Sequence, residues 1–309
     1  MNIDRMTGER ARPVRARYGA IVMLAVTSCG SSSSVAPRET GAPTSSAPSV
    51  TVSPSTTSVA QPGLQMTVIG DSIPHAQFCG GCTGFVAQYA STLEKQGGRA
   101  VAISDFSRDD SAGLPQIREQ VTGATDLREA IGRSDVILVS VGYNNALPDG
   151  SVGVGCDGDM GQTAESYVAW AMATKPDCLQ AGLDTYAGEY DEIFSTINTL
   201  TGGRPVLLIA INVHDGNLAD PFFANTALSA EPIDEFHQWM IGRYDEWNSM
   251  MCDRAEAHGF VCVDMYHAFN GPAGDQPSTP LTVDGAHPSQ EGNDLIAQLL
   301  GAVDSSKLV

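Results

Sequence analysis

Met66-Thr67-Val68-Ile69-Gly70-Asp71-Ser72-Ile73 is the stretch on which the fold turns. Its first four residues form a continuous apolar and β-branched run with no alternation of polar positions. Such a run suits a strand buried on both faces of a parallel sheet. It passes without a spacer into Gly70-Asp71-Ser72. Glycine permits a tight turn there, and a serine at the strand end is well placed as an exposed nucleophile, although Gly-Asp-Ser is also ordinary turn chemistry.

Working outward, four more runs have the same character: Ala100–Ile103, Asp135–Val141, Pro205–Ile211 and Phe260–Val263. Between and after them lie helical stretches around Phe85–Gln96, Leu127–Arg133, Tyr186–Leu200, Ile233–His258 and Gln290–Leu300. Alternating βα units predict an α/β protein, a three-layer α/β/α doubly wound sandwich on a mainly parallel five-stranded sheet. In such sheets ligands bind outside the carboxyl ends of the strands, so chemistry is to be sought just after each one.

Two further groups stand in that position. Asp284-Gly285-Ala286-His287-Pro288 precedes the last helix and puts an acid and an imidazole three residues apart in a glycine-containing turn. The carboxylate there can fix the imidazole tautomer and stabilise the imidazolium that forms when histidine takes a serine proton. Gly142-Tyr143-Asn144-Asn145 follows the third strand, where a side-chain amide can aim its N–H at a developing oxyanion.

Taken in order, Gly70-Asp71-Ser72, Gly142-Tyr143-Asn144-Asn145 and Asp284-Gly285-Ala286-His287 resemble the motif blocks of the GDSL/SGNH hydrolase family, across the whole folded part of the chain. The resemblance implies a flavodoxin-like fold and a serine ester hydrolase that uses no metal and no organic cofactor. It implies Ser72 as nucleophile, His287 as general base and Asp284 as its orienter. Asn144 and the Ser72 backbone N–H are the implied oxyanion donors. Two positions depart from the family pattern. The third block normally ends Gly-x-Asn-Asp, and Asn145 stands in the last place. The second block supplies a glycine N–H to the oxyanion; here Gly113 is offered, while a tighter spacing would use Arg108.

Ahead of the domain, five of the 17 basic residues crowd before an apolar run, Tyr18–Val26, in the layout of a secretory signal. Val26-Thr27-Ser28-Cys29 resembles a bacterial lipobox, with Cys29 the lipidated residue. Residues 29–63, rich in Ser, Thr and Pro, are read as a flexible tether, and residues 64–309 as the catalytic domain. If Cys29 carries lipid, the seven cysteines leave an even six. Export then favours disulfides, and neighbours in sequence suggest Cys79–Cys82, Cys156–Cys178 and Cys252–Cys262. The expected location is the outer face of the cytoplasmic membrane, anchored through Cys29, and a monomer is expected.

The formal charge of −19 argues against nucleic acid, which needs clustered Lys and Arg. Removing residues 1–28 leaves 12 basic and 34 acidic side chains, a charge of −22. Other patterns carry less. Cys79-Gly80-Gly81-Cys82 is read as a structural bridge rather than a redox pair, and Gly153-Val154-Gly155-Cys156-Asp157-Gly158 follows a turn rather than a strand. His214, Asp215 and Asn217 are read as a plain loop; Phe222, Phe223 and Trp239 are read as core. The expected substrate is an ester: a lipid, an acetylated glycan or a small ester. Acyl transfer to an envelope glycan is the enzymatic alternative, and a non-catalytic envelope binding protein on the same fold is the other.

Overall fold

The run Met66–Ile69 lies inside strand β1, Leu64–Gly70, whose residues are buried apart from Gln65. This computed structural model describes residues 62–76, 78–146, 163–173, 177–218 and 230–308, all within the compact unit Ser58–Val309. The other strands are β2 Val101–Ser107, β3 Val136–Ser140, β4 Leu207–Ile211 and β5 Val261–Val263. Every pairing is parallel and the order is β2-β1-β3-β4-β5. This is the doubly wound sandwich that the βα alternation predicts.

Burial on both faces holds for β1, β3 and β4, where nearly every side chain is inside. It fails at the two edges. Ile103 in β2 is 40% exposed and Val261 in β5 is 41% exposed, because an edge strand has a neighbour on one side only. β2 also runs to Ser107, past the apolar stretch, since its ladder with Gly70 continues through Asp105 and Phe106.

On one face, α2 (Phe85–Gly97) packs against the last long helix, Gln290–Gly301. On the other, α3 (Leu114–Gly123) and α4 (Thr125–Arg133) pack against α7 (Asp177–Thr201), which packs on α8 (Ala230–Ala257). Between α4 and α7 come α5 (Tyr143–Ala146) and α6 (Ala164–Ala173); after β5 come α9 (Met265–Asn270) and α10, the Gln290–Gly301 helix. The first crossover runs outward to β2 and the second returns past β1 to β3. The switch in direction therefore falls between the carboxyl ends of β1 and β3, where an open sheet leaves a crevice.

Among the cysteines, Cys79–Cys82 and Cys252–Cys262 form disulfides with Cα separations of 5.5 and 5.4 Å. Cys156 of the expected Cys156–Cys178 pair lies outside the described residues, as do Cys29 and Phe222-Phe223. Trp239 is partly buried against the core and lies beside Phe236.

Gly70 marks how tightly the switch point is packed. A Cβ there would sit 2.1 Å from the Ser140 carbonyl oxygen and 2.6 Å from Pro74 Cγ. The backbone oxygen cannot yield without breaking the β1–β3 ladder. Gly70→Ala is therefore expected to lower stability by about 3 kcal/mol, measured by urea unfolding.

Candidate active site

Strand β1 delivers Ser72 as the first residue of a short helical turn, α1 (Ser72–His75). Asp71 caps that turn: its Oδ1 accepts the Ile73 N–H at 3.0 Å. Its Oδ2 accepts the Gly142 N–H at 3.2 Å, so one buried carboxylate joins the ends of β1 and β3. Burial pushes the Asp71 carboxyl up to about 6, against the pull of N–H groups from Ile73, Gly142 and Tyr143 and the nearby His287. Gly142 has φ +125°, and a Cβ there would lie 2.2 Å from the Tyr190 hydroxyl. Only glycine allows the chain to turn back toward Asp71 at this point.

The Asp284–His287 loop is a narrow hairpin. Thr282 and Pro288 form an antiparallel bridge, and the Val283 N–H donates to the His287 carbonyl at 2.9 Å. Gly285 supplies a left-handed turn at φ +92°. The three-residue spacing gives Asp284 two tasks. Its Oδ1 accepts the backbone N–H groups of Ala286 at 3.0 Å and His287 at 2.7 Å, while Oδ2 lies 2.7 Å from His287 Nδ1. Burial alone would raise the Asp284 carboxyl, but the His287 ring and backbone, with the Ala286 N–H, outweigh it and hold the group below its ordinary value. An ionised carboxylate only accepts, so Nδ1 carries the proton and Nε2 presents its lone pair. Nε2 lies 3.0 Å from Ser72 Oγ. Ser72, His287 and Asp284, from opposite ends of the chain, thus form one line of hydrogen bonds.

Asn144 lies in α5, at the end of β3. One of its amide protons goes to the Ala112 carbonyl at 3.0 Å, which fixes the amide and leaves its second proton available. Asn145, standing in place of the family's Asp, is buried and accepts the Leu114 N–H at 2.7 Å, capping α3. The Gly113 N–H, expected as a further oxyanion donor, is engaged: it donates to Gln116 Oε1 at 3.1 Å at the start of α3. The Arg108 N–H, the other candidate, donates to the Gly70 carbonyl at 3.0 Å and extends the β1–β2 ladder. Gly113 serves close approach instead, since a Cβ there would lie 2.7 Å from Asn145 Oδ1.

Sequence reasoning left four contributors out. Asp71 read as part of a turn. His214, read as plain loop, is wholly buried and its Nε2 lies 3.2 Å from the Gly285 carbonyl, between Tyr143 and Phe269. Burial drives its imidazole down to about 4, so it is neutral and donates from Nε2. Gly216 closes the same packing, as a Cβ there would lie 2.4 Å from the Gly285 oxygen. Phe78 stacks on His287 with ring centroids 3.8 Å apart. A second Asp-x-x-His, Asp264 and His267, has the same local bonds, with Oδ2 2.7 Å from Nδ1, but it caps α9 and bonds no serine among the described residues.

The sequence model of the GDSL-like Lipase/Acylhydrolase family matches residues 68–295. No curated protein matches the chain. Among solved structures, the lipase Lip_vut3 from a goat rumen metagenome is 18% identical with a TM-score of 0.55, covering 77% of this chain and 96% of that one. An extracellular lipase from Streptomyces rimosus is 14% identical with a TM-score of 0.54, covering 78% and 100%. A catalytic mutant of Axe2, an acetylxylan esterase from Geobacillus stearothermophilus, is 15% identical with a TM-score of 0.50, covering 79% and 96%. At these identities the three share the fold.

Because His214 holds the carbonyl between Asp284 and His287, His214→Ala is expected to lower kcat on an ester by about 10²-fold with little change in KM. His214→Gln, which keeps a donor, should recover part of it. The pH dependence has a definite sign. A histidine held near 4 when folded and near 6.5 when unfolded contributes stability that is present above 6.5 and lost as pH falls toward 4. His214→Gln should therefore lose less stability than the parent between pH 7 and pH 5, read by urea unfolding at each pH.

Proposed function

The chain belongs to the GDSL-like lipase/acylhydrolase family and is a carboxylic ester hydrolase, and we propose that it is an extracytoplasmic serine esterase working through Ser72, His287 and Asp284. One observation carries the assignment: the continuous line from Ser72 Oγ to His287 Nε2 at 3.0 Å and from His287 Nδ1 to Asp284 Oδ2 at 2.7 Å.

In the proposed reaction the Ser72 oxygen attacks the ester carbonyl carbon as its proton passes to His287 Nε2. The carbonyl oxygen takes the charge. The second amide proton of Asn144 and the Ser72 N–H, which has no intrahelical acceptor at the start of α1, donate to it. When the tetrahedral species collapses, His287 Nε2–H protonates the departing alcohol oxygen and the acyl group stays on Ser72. Water then attacks the acyl-serine, losing a proton to Nε2; the acid departs and Ser72 recovers its proton. Asp284 remains ionised throughout and stabilises the imidazolium.

The substrate classes are those the family accommodates, lipids and acetylated glycans among them. The Streptomyces and goat-rumen neighbours are lipases, and the Geobacillus one an acetylxylan esterase. The same proposal places the enzyme outside the cytoplasmic membrane. The signal-like residues 1–28 and the Ser/Thr/Pro-rich stretch 29–63 support this. So do two disulfides in the described residues, since disulfides persist in oxidising compartments. Among the described residues no helix is long and apolar enough to cross a membrane. Attachment is assigned to lipid on Cys29.

Ser72→Ala is expected to abolish both hydrolysis of 4-nitrophenyl acetate and labelling by a fluorophosphonate probe. His287→Ala should match it in hydrolysis, whereas His267→Ala should leave activity unchanged. Asn144→Ala should lower kcat by about 10²–10³-fold. Unchanged hydrolysis in Ser72→Ala would sink the assignment. For the anchor, Cys29→Ser expressed in a bacterium should release the protein from the membrane fraction and end incorporation of radiolabelled palmitate; persistence of both would refute lipidation at Cys29.

A further inference from the structure

Four large apolar side chains are exposed among the described residues: Phe78, Ile103, Val261 and Val283. Ile103 and Val261 belong to edge strands. The other two flank the candidate site. Val283 directly precedes Asp284, and Phe78 lies on the His287 imidazole at 3.8 Å with an angle of 25° between the rings. Phe78 remains 45% exposed, so much of its surface is open to solvent. A large aromatic left open beside reactive groups is the informative kind of exposure, because burying it elsewhere would stabilise the fold.

The loop that carries Phe78 is anchored at both ends. The chain leaves α1 through a left-handed Ala76 at φ +58°. After Phe78, the Cys79–Cys82 disulfide closes a short turn, reinforced by the Cys82 N–H donating to the Cys79 carbonyl at 3.0 Å. The Thr83 N–H then donates to Gln290 Oε1, and the Phe85 N–H to Asn293 Oδ1, both at 2.9 Å. Gln290 and Asn293 belong to α10, the helix that follows His287. The stack therefore joins two segments already tied together, and Phe78 is held in place.

Its position relative to the reaction follows from proton transfer. The alcohol oxygen that leaves must come within hydrogen-bond reach of His287 Nε2 to be protonated. The carbonyl oxygen points instead toward the Asn144 amide. The group carried by the leaving oxygen consequently lies beside whatever covers the imidazole, and one face of that ring is covered by Phe78.

We propose that Phe78 is a specificity-determining residue: it forms the wall of the alcohol subsite and favours alcohols that present the flat face of a ring. This rests on the serine-esterase reading above. Both carbocycles and sugar rings offer such a face.

The test uses the full chain and esters sharing one acyl group. Cyclohexyl acetate and ethyl acetate release alcohols of similar basicity and differ in the ring; an acetylated methyl xyloside gives the sugar arm. For Phe78→Ala the ratio of kcat/KM for cyclohexyl over ethyl acetate should fall about three- to tenfold, the range of a ring stack. Phe78→Tyr should retain the parent ratio, and Phe78→Leu, which keeps bulk without a flat face, should fall with Ala. The acetate-to-butyrate ratio measured with 4-nitrophenyl esters should not move. A fall in the xyloside arm alone assigns the wall to sugars, and a fall in the cyclohexyl arm alone to carbocycles. Unchanged alcohol ratios, or a change in acyl preference instead, would overturn the subsite. Fluorophosphonate labelling of Ser72 in each variant separates the two levels: a labelled parent with unmoved ratios sinks only the subsite, whereas an unlabelled, inactive parent sinks the esterase reading with it.

Discussion

A buried carboxylate between two strand ends sets the geometry on which the site depends. Asp71 takes N–H groups from Ile73 on one side and Gly142 on the other, so the turn after β1 and the turn after β3 cannot move independently. Ser72 leaves the first turn and Asn144 the second. A carboxylate buried in this way is costly to ionise, and its rise to about 6 reflects that cost. The N–H donors offset part of it, which is why the group survives at a position where an apolar residue would leave two strand-end amides without acceptors. The glycine at 142 is the other half of the device, since a side chain there would collide with Tyr190 and push the Gly142 N–H away from Asp71.

The two acids of the site are tuned in opposite directions by the same elementary terms. Asp71 is fully enclosed and desolvation wins. Asp284 lies on a half-open hairpin, where its bonds to His287 and Ala286 win and hold it ionised. That division suits the roles proposed for them, one holding backbone and the other stabilising a charge that comes and goes on His287. His214 belongs with Asp71 in this sense. It is buried, neutral and bonded to backbone, and it fixes the hairpin from below as Asp71 fixes the serine turn.

How much of this was legible in the sequence varied with the range of the interaction. Parallel strands buried on both faces leave a continuous apolar signature, and β1, β3 and β4 were readable from it, whereas β2 runs four polar or aromatic residues beyond its apolar stretch because register with β1 extends it. Helix α3 was not read, although Leu114, Ile117 and Val121 keep helical spacing; Pro115 and the short, mostly polar sequence hid a start that Gly113 and Gln116 define. Asp284 and His287 were found from their three-residue spacing, yet Asp264 and His267 make the same bonds three residues apart. What distinguishes the two is a serine 215 residues away, and no local pattern carries that. His214 and Phe78 act only through contacts with the hairpin, so single residues in loops gave no signal of them.

Asn145 shows how a departure from a family pattern can be read from its surroundings. The cap on α3 requires an acceptor, which either an amide or a carboxylate provides; Asn145 gives it to the Leu114 N–H. Asn145 further sits one turn from Gly142, its N–H bonded to the Gly142 carbonyl, and Gly142 is the residue that holds Asp71. A carboxylate at 145 would put a second buried negative group at the end of β3, in a protein whose formal charge is already −19. The amide keeps the cap without adding charge, leaving Asp71 the buried acid of the junction. The substitution therefore preserves the placement of Asn144 beside it, and the loss of the family's acid at this position is compatible with an intact oxyanion amide.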